Sequence, residues 1–143
     1  ISNKKLDSKS FKGAYIIHGP KTNNDITILA TGSEVSLAVS IAERIRDIGI
    51  IAKVISMPST SVFEKQPKTF KNNLLKSKTS ETFVIEAGST MYWNKYTKHE
   101  NIFGLDDFGA SAPGNEVFRK FGLTTKTISS KIIRKIKTLW KKK

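Results

Sequence analysis

The stretch DITILATGSEVSLAV, residues 25–39, runs from apolar residues through a Gly-containing turn into apolar residues at helical spacing. Its first part, residues 26–30, predicts a buried strand. From Ser33 the apolar side chains recur every three or four residues as far as Ile48, which predicts an amphipathic helix that ends at Gly49. The stretch therefore predicts the strand-to-helix turn of an α/β fold, and it raises the question of whether that turn also binds a phosphate.

Strand candidates on both sides of this unit extend it into a sheet. Residues 50–56 follow the helix at the distance that a parallel strand–helix–strand crossover needs. Residues 14–18 precede it, and the turn-rich GPKTNND between residues 18 and 26 favours a hairpin. Residues 82–87 and 101–105 add two more strands, so the pattern predicts helices on both faces of a mixed sheet of four or five strands.

The remaining segments predict connections and short helices. Short helical pieces are expected on either side of Pro67, and the Gly/Pro-rich FGASAPGN is expected to be a loop. A short helix over 116–121, a linking strand over 124–128 and a last amphipathic helix over 129–140 complete the expectation. The polar, Lys-rich residues 1–12 indicate a linker or a loosely held arm.

The composition bounds the class of protein. With 143 residues the chain suits one domain, and no apolar run is long enough for a membrane span or a secretory signal. The absence of Cys excludes disulfides and thiolate sites and suits a reducing cytoplasm. Because the chain begins with Ile1 and not with Met, we expect it to be a piece of a larger protein.

The formal charge of +13 is the one feature that suggests nucleic-acid binding. Only four of the 25 basic residues are Arg, and the Lys residues are scattered except near the C-terminus. Because base readout depends heavily on the Arg fork, this composition does not favour nucleic acid as a partner. A solvated helix end is the favoured interpretation of the terminal basic run, with an anionic partner as the alternative.

The turn after the first buried strand is the first candidate site. A helix N-terminus after a Gly turn offers free N–H groups to an anion, but neither common phosphate-loop pattern is present and Glu34 would compete for the same donors. Thr31 or Ser33 is expected to cap the helix. Glu86 follows an apolar strand and precedes Gly88, at the sheet edge where open α/β folds bind ligands. The candidate anion site therefore comprises Thr31, Gly32, Ser33, Glu86 and Gly88, with a purely architectural turn favoured over it.

Other chemistry-bearing residues have simpler interpretations. His18 and His99 do not show metal-ligand spacing, and Asp106 and Asp107 are expected to be solvated carboxylates that do not cluster with Glu86. For Glu86 itself, a hydrogen bond to a neighbouring loop explains its position as well as a catalytic role does.

An aromatic-rich segment around residues 91–96 has three interpretations. In order of preference it is core, an interface patch or a base-stacking platform. Its members are Met91, Tyr92, Trp93 and Tyr96.

Five segments, ATGSEV, SMPSTSVFEKQ, VIEAG, YWNKY and FGASAP, in this order and spacing closely resemble the C-terminal domain of the transketolase family. The likeness runs from about residue 14 to residue 140. It implies a three-layer α/β/α domain with a mixed, mostly parallel five-stranded sheet over residues 14–143, preceded by the tail of an interdomain linker over residues 1–13.

The resemblance also implies a function. Transketolases transfer a two-carbon ketol unit between sugar phosphates in the pentose phosphate pathway, as cytoplasmic homodimers that use thiamine diphosphate and a divalent metal, Mg or Ca. The family carries its cofactor motif, Gly-Asp-Gly with a downstream Asn, on another domain, and this chain does not contain it. No catalytic, cofactor-binding or metal-binding residue is therefore predicted here, and the expected role is assembly of the enzyme. The alternative is a regulatory module that binds a small anion or a nucleotide.

Overall fold

Five strands and four α-helices form the described part of the chain. The structure is a computed structural model that describes residues 11–86, 91–104 and 124–142. In chain order the elements are β1 (Tyr15–His18), β2 (Ile26–Ala30), α1 (Glu34–Arg46), β3 (Ala52–Ser56), α2 (Thr60–Glu64), α3 (Lys68–Leu75), β4 (Thr82–Glu86), β5 (Ile102–Gly104) and α4 (Thr125–Lys141). Two 3₁₀ helices, Met91–Lys95 and His99–Asn101, lie between β4 and β5.

The strands form one mixed sheet in the order β1-β3-β2-β4-β5. Strand β2 pairs in parallel with β3 and β4, β4 pairs in parallel with β5, and β1 pairs antiparallel with β3. The predicted mixed, mostly parallel five-stranded sheet is therefore confirmed.

The predicted hairpin between β1 and β2 is wrong. Every residue of β2 is buried, and both of its edges are taken by the parallel neighbours β3 and β4. Strand β1 therefore cannot pair with β2, and it pairs instead with the outer edge of β3, where Tyr15 lies opposite Ser56. Because β1 is an edge strand, its side chains alternate between exposed and half-buried.

Two apolar clusters, one on each face of the sheet, give the domain its three layers. On one face α1 and α4 cover the side chains of Ile26, Ile28, Val54, Phe83 and Ile85. On the other face α2, α3 and the first 3₁₀ helix cover Leu29, Ile55 and Val84 through Phe63, Phe70 and Trp93. The three-layer α/β/α prediction is confirmed.

Helix α1 and the two helices beside Pro67 lie where the sequence pattern predicted them. After α1, the N–H of Gly49 donates to the Arg46 carbonyl at 2.9 Å, and the N–H of Ile50 donates to the Ile45 carbonyl at 3.1 Å. These two bonds satisfy helix-end carbonyls and turn the chain into β3.

The linking strand predicted over 124–128 is wrong, because these residues begin α4. The Thr124 hydroxyl accepts a hydrogen bond from the N–H of Thr127 at 3.2 Å and so caps the helix. Ile128 lies four and eight residues before Ile132 and Ile136, and all three are fully buried in the same cluster. The apolar stripe therefore starts one turn earlier than the β-branched TTKTI suggested.

Several expectations fall on residues outside the described ranges. These are residues 1–10 of the linker tail predicted over 1–13, the short helix over 116–121, the FGASAPGN loop and the end of the last strand at Leu105. Within the described part, the Gly13 carbonyl accepts from the N–H of Ser59 at 3.1 Å, so the chain contacts the domain just before β1. The boundary between a linker and the domain at residue 13 stays a prediction.

Candidate functional site

The turn after β2 lies at the carboxyl edge of the parallel strands. Gly32 has a φ of +54°, a left-handed conformation that Gly adopts without strain, and its carbonyl accepts from the N–H of Val35 at 3.3 Å. The Thr31 carbonyl accepts from the N–H of Glu34 at 3.1 Å. Backbone groups of the turn itself thus satisfy the first donors of α1.

The side-chain cap expected from Thr31 or Ser33 is absent from this turn. Ser33 already has helical backbone angles, and its hydroxyl donates to the Glu34 carboxylate at 2.8 Å. The Thr31 hydroxyl donates to the Glu86 carboxylate at 3.3 Å. The capping prediction is wrong because the two hydroxyls donate to neighbouring carboxylates, while Glu34 itself lies buried in the first turn of the helix.

Glu86 joins the end of β4 to the segment that follows it. Its Oε2 accepts from Trp93 Nε1 at 3.1 Å as well as from Thr31. Trp93 is 3% exposed and packs in the core, so its indole N–H needs a partner there. The explanation of Glu86 by a hydrogen bond to a neighbouring loop is confirmed.

A shallow cleft of about 360 Å³ opens beside these residues. The residues that line it are Thr31, Met57, Pro58, Thr60, Glu86, Tyr92 and Trp93. Its polar groups are one carboxylate and hydroxyls, which suits a hydroxyl-bearing ligand through accepted and donated hydrogen bonds. Of the candidate anion site, Thr31 and Glu86 are thus brought together with Gly32 and Ser33 beside them, whereas Gly88 lies outside the described residues. Anion binding at this turn stays a prediction.

The aromatic segment is core at Trp93 and surface at Tyr92, which is 46% exposed. Trp93 and Tyr96 pack with ring centroids 5.7 Å apart, and Tyr96 lies 6.0 Å from Phe63. The first-ranked interpretation, core, is confirmed for Trp93.

The Tyr96 hydroxyl also donates to the Glu64 carboxylate, which Lys95 and Lys71 approach at 3.7 and 3.5 Å. This hydrogen bond, with the two ammonium groups, lowers the pKa of the Glu64 carboxyl. Burial and the same contact raise the pKa of the Tyr96 phenol. The contacts tie α2 to the first 3₁₀ helix.

Part of the positive charge of α4 is neutralised by carboxylates of the domain. Lys135 Nζ donates to Glu100 at 2.8 Å and lies 3.7 Å from Glu81, and it also donates to the Asn101 side chain. This contact lowers the pKa of the Glu100 carboxyl. Lys135 therefore forms an internal structural contact between α4 and the second 3₁₀ helix.

A metal centre does not arise among residues 11–86, 91–104 and 124–142. In these ranges there is no group of three His, Asp or Glu side chains that could hold an ion. His18 lies in β1 and His99 in a 3₁₀ helix, while Asp106 and Asp107 lie outside the ranges. None of the helices described in these ranges is both long enough and apolar enough to cross a membrane.

The sequence analysis did not identify the buried ammonium of Lys53. Lys53 is the second residue of β3 and is 1% exposed, and its Nζ donates to the Leu74 carbonyl at 2.7 Å. The signal was present, since Lys53 interrupts the otherwise apolar run IIAKVIS.

Comparison with known proteins matches most of the chain to one family. Residues 13–124 match the family model described as the transketolase-like C-terminal domain. A probable transketolase of Streptococcus pneumoniae is 38% identical over 130 residues, which is 90% of this chain and 20% of the relative. The transketolase of Halalkalibacterium halodurans is 41% identical over 118 residues, 82% of this chain and 18% of the relative.

Solved structures agree with these relatives. A transketolase variant from Pichia stipitis superimposes with a TM-score of 0.77 at 34% identity, covering 92% of this chain and 19% of that one. The transketolase of Campylobacter jejuni gives 0.75 at 31% identity, covering 86% and 18%. The chain thus spans about a fifth of the length of its relatives. With its sheet order, its layers and these matches, the chain belongs to the transketolase family as a transketolase C-terminal domain.

Proposed function

We propose that this domain belongs to an enzyme that transfers a two-carbon ketol unit between sugar phosphates, and that it serves the assembly of that enzyme. The observation that carries the proposal is the extent of the match, which covers most of this chain but only about a fifth of each transketolase. Structures of the Pichia stipitis relative are described as complexes with xylulose 5-phosphate and sedoheptulose 7-phosphate. We infer the same substrate class, and hence a place in the pentose phosphate pathway, for the longer protein.

The cofactor of this reaction does not fit the residues of this chain. Thiamine diphosphate with Mg or Ca needs a diphosphate and metal motif, and the sequence lacks the Gly-Asp-Gly pattern with its Asn. In the described ranges the donor set offers no three-residue group for the ion. We therefore assign no step of ketol transfer to residues of this chain, and we place cofactor binding in other parts of the longer protein.

The role in assembly is supported by apolar side chains that the domain leaves exposed. Tyr15 and Ile17 are 39% and 36% exposed on the edge strand β1, and Trp140 is 38% exposed near the end of α4. Exposed aromatic residues are typical of contacts between domains or subunits. We propose that these residues contact the remaining domains or the second subunit of a cytoplasmic homodimer.

The test begins with the native protein in a cell extract, detected with an antibody to this domain. We expect a band several times larger than the 15.9 kDa of this chain. With thiamine diphosphate and Mg²⁺ added, the large protein should transfer a ketol unit from xylulose 5-phosphate to ribose 5-phosphate, and the isolated chain should not. A native band at the size of the chain, or ketol transfer by the chain alone, would contradict the proposal.

The second candidate function, a regulatory module for a small anion or a nucleotide, is kept for the turn at Thr31, Gly32 and Ser33. Its support is the exposed position of Gly32 and Ser33 at a helix N-terminus. Addition of nucleotides should then shift the amide signals of these two residues in an NMR spectrum. Unchanged amide signals would remove this candidate.

A further inference from the structure

A second cavity lies at the opposite edge of the sheet from the Thr31 turn. It has a volume of about 610 Å³, within the usual range for small-molecule sites. Its walls are the loop before β2, the end of α3 and the loop before β4, so it faces the amino ends of the parallel strands. The residues that line it are Ile16, Lys21, Thr22, Asn23, Asn24, Lys53, Phe70, Asn73, Leu74, Lys76, Ser77 and Lys78.

Lys53 places a positive charge at the buried side of this cavity. Its Nζ donates to the Leu74 carbonyl at 2.7 Å and to the Lys76 carbonyl at 3.4 Å. An ammonium has three N–H donors, so two carbonyls leave one donor for a further acceptor. Burial lowers the pKa of Lys53, because the charged form loses solvation there. A bound anion would stabilise the buried ammonium.

The rim of the cavity adds three exposed lysines, Lys21, Lys76 and Lys78. Within the described ranges none of them forms an ion pair, in contrast to Lys71 and Lys135 elsewhere in the domain. The carboxylate of Asp25, next to the cavity in sequence, accepts from the N–H of Ile51 at 2.7 Å. The cavity therefore concentrates positive charge.

One wall of the cavity is apolar. Ile16, Phe70 and Leu74 line it, and all three pack at the margin of the second apolar cluster. Lys12 Nζ lies 4.5 Å from the centroid of the Phe70 ring. The side-chain amides of Asn23 and Asn73 add neutral hydrogen-bonding groups. A ligand that fits both walls needs an anionic group and an apolar body.

We propose that this amino-edge cavity binds a small phosphate monoester whose ester group is apolar. The phosphate lies between Lys53 and the rim lysines, and the apolar group contacts Phe70, Ile16 and Leu74. This site is separate from ketol transfer, since it needs neither the cofactor nor another domain.

The probe for this proposal is phenyl phosphate, followed by NMR on the isotope-labelled chain. Inorganic phosphate tests the anion alone, and benzyl alcohol tests the apolar wall alone. Since the ring buries apolar area that inorganic phosphate lacks, we expect phenyl phosphate to bind at least about tenfold more tightly than inorganic phosphate. The amide signals of Asn23 and Ser77 should shift, and those of Gly32 and Ser33 should not.

Matched charge variants make the assignment specific. The double variant Lys21→Gln/Lys78→Gln removes two rim charges at exposed positions, and we expect it to weaken phenyl phosphate binding at least about fivefold. Lys126→Gln/Lys137→Gln removes the same net charge from exposed positions of α4, and binding should stay within about twofold of the parent chain. The fold of each variant is checked by its NMR spectrum.

Four outcomes overturn the proposal. The first is absence of binding at about 10 mM phenyl phosphate, and the second is an affinity for benzyl alcohol equal to that for phenyl phosphate. The third is an equal loss of phenyl phosphate affinity in both double variants. The fourth is a set of amide shifts confined to Gly32 and Ser33. The last outcome would move the anion to the carboxyl edge.

Discussion

Replacement of Ile132 by Ala tests the layer that α4 forms over the sheet. Ile132 is fully buried, in a cluster that contains Ala38, Ile41 and Ile45 of α1 together with sheet residues. Ile133, the next residue on the same helix, is only half-buried at the margin of that cluster. Both changes remove the same atoms and alter helix propensity equally. The difference between their losses in free energy of unfolding therefore measures burial alone.

The expected magnitude follows from what each change removes. Ile→Ala deletes three carbon groups, worth about 2.4 kcal/mol when fully buried. A residual cavity of up to about 80 Å³ adds up to about 2 kcal/mol, and the higher helix propensity of Ala returns about 0.4 kcal/mol. For Ile132→Ala we expect a loss of about 2–4 kcal/mol. For Ile133→Ala, half the transfer energy and no enclosed cavity leave a loss of about 1 kcal/mol or less.

The assay is urea unfolding of the chain, followed by circular dichroism and by the fluorescence of its two tryptophans, the buried Trp93 and the more exposed Trp140. The free energies of unfolding are compared between variants whose slope of free energy against urea concentration is unchanged. Equal losses for the two variants, or a larger loss for Ile133→Ala, would refute the assignment of the buried face of α4. Such a result would also reopen the position of α4 over α1.

Two further predictions concern a helix cap and a titrating contact. Thr124→Ala should lower the free energy of unfolding by about 1 kcal/mol, since the N–H of Thr127 loses its acceptor, while Thr124→Ser should be near neutral; an equal loss for both in urea unfolding would contradict the cap. Tyr96→Phe should raise the pKa of Glu64 towards its usual value, because the phenol is the largest cause of its lowering. A carboxyl with a lowered folded pKa stabilises the fold above its unfolded pKa and loses this contribution as the pH falls through the folded value. The acid-side loss of stability linked to Glu64 should therefore become shallower in Tyr96→Phe, and an unchanged Glu64 titration by NMR would exclude the contact.

The fold could be predicted largely from local sequence patterns. The wrong predictions lie where the structure depends on contacts between distant parts of the chain. The period of α1 and the apolar runs of β2 and β4 each identify their element without further information. The partner of β1 depends on the order in which the later strands join the sheet. A turn-rich loop such as GPKTNND does not encode that order. The start of α4 was hidden by β-branched threonines, whose weak helix propensity is overridden by the cap at Thr124 and the packing of Ile128.

The carboxyl edge could be predicted in position but not in its contacts. The order of strand and turn places Thr31 and Glu86 at one edge, and they lie within hydrogen-bond distance of each other. Trp93, which lies seven residues after Glu86 in a 3₁₀ helix, also donates to the Glu86 carboxylate. No periodicity of the sequence predicts this hydrogen bond. Lys53 was missed because a single Lys in an apolar strand is read as a strand residue, and only the tertiary fold brings the carbonyls of Leu74 and Lys76 to its ammonium.

The two edges of the sheet offer an anion very different surroundings. At the carboxyl edge a helix N-terminus presents donors, but the carboxylates of Glu34 and Glu86 lie beside it and take up the hydroxyls of Ser33 and Thr31. At the amino edge the described side chains around the cavity supply lysines without carboxylate partners. A helix dipole contributes about half a charge that falls off within a turn, whereas each lysine contributes a full charge. An anion that binds the described part of this domain should therefore prefer the amino edge. In a phenyl phosphate titration, a shifted amide signal of Asn23 would indicate the amino edge, and a shifted signal of Gly32 would indicate the carboxyl edge.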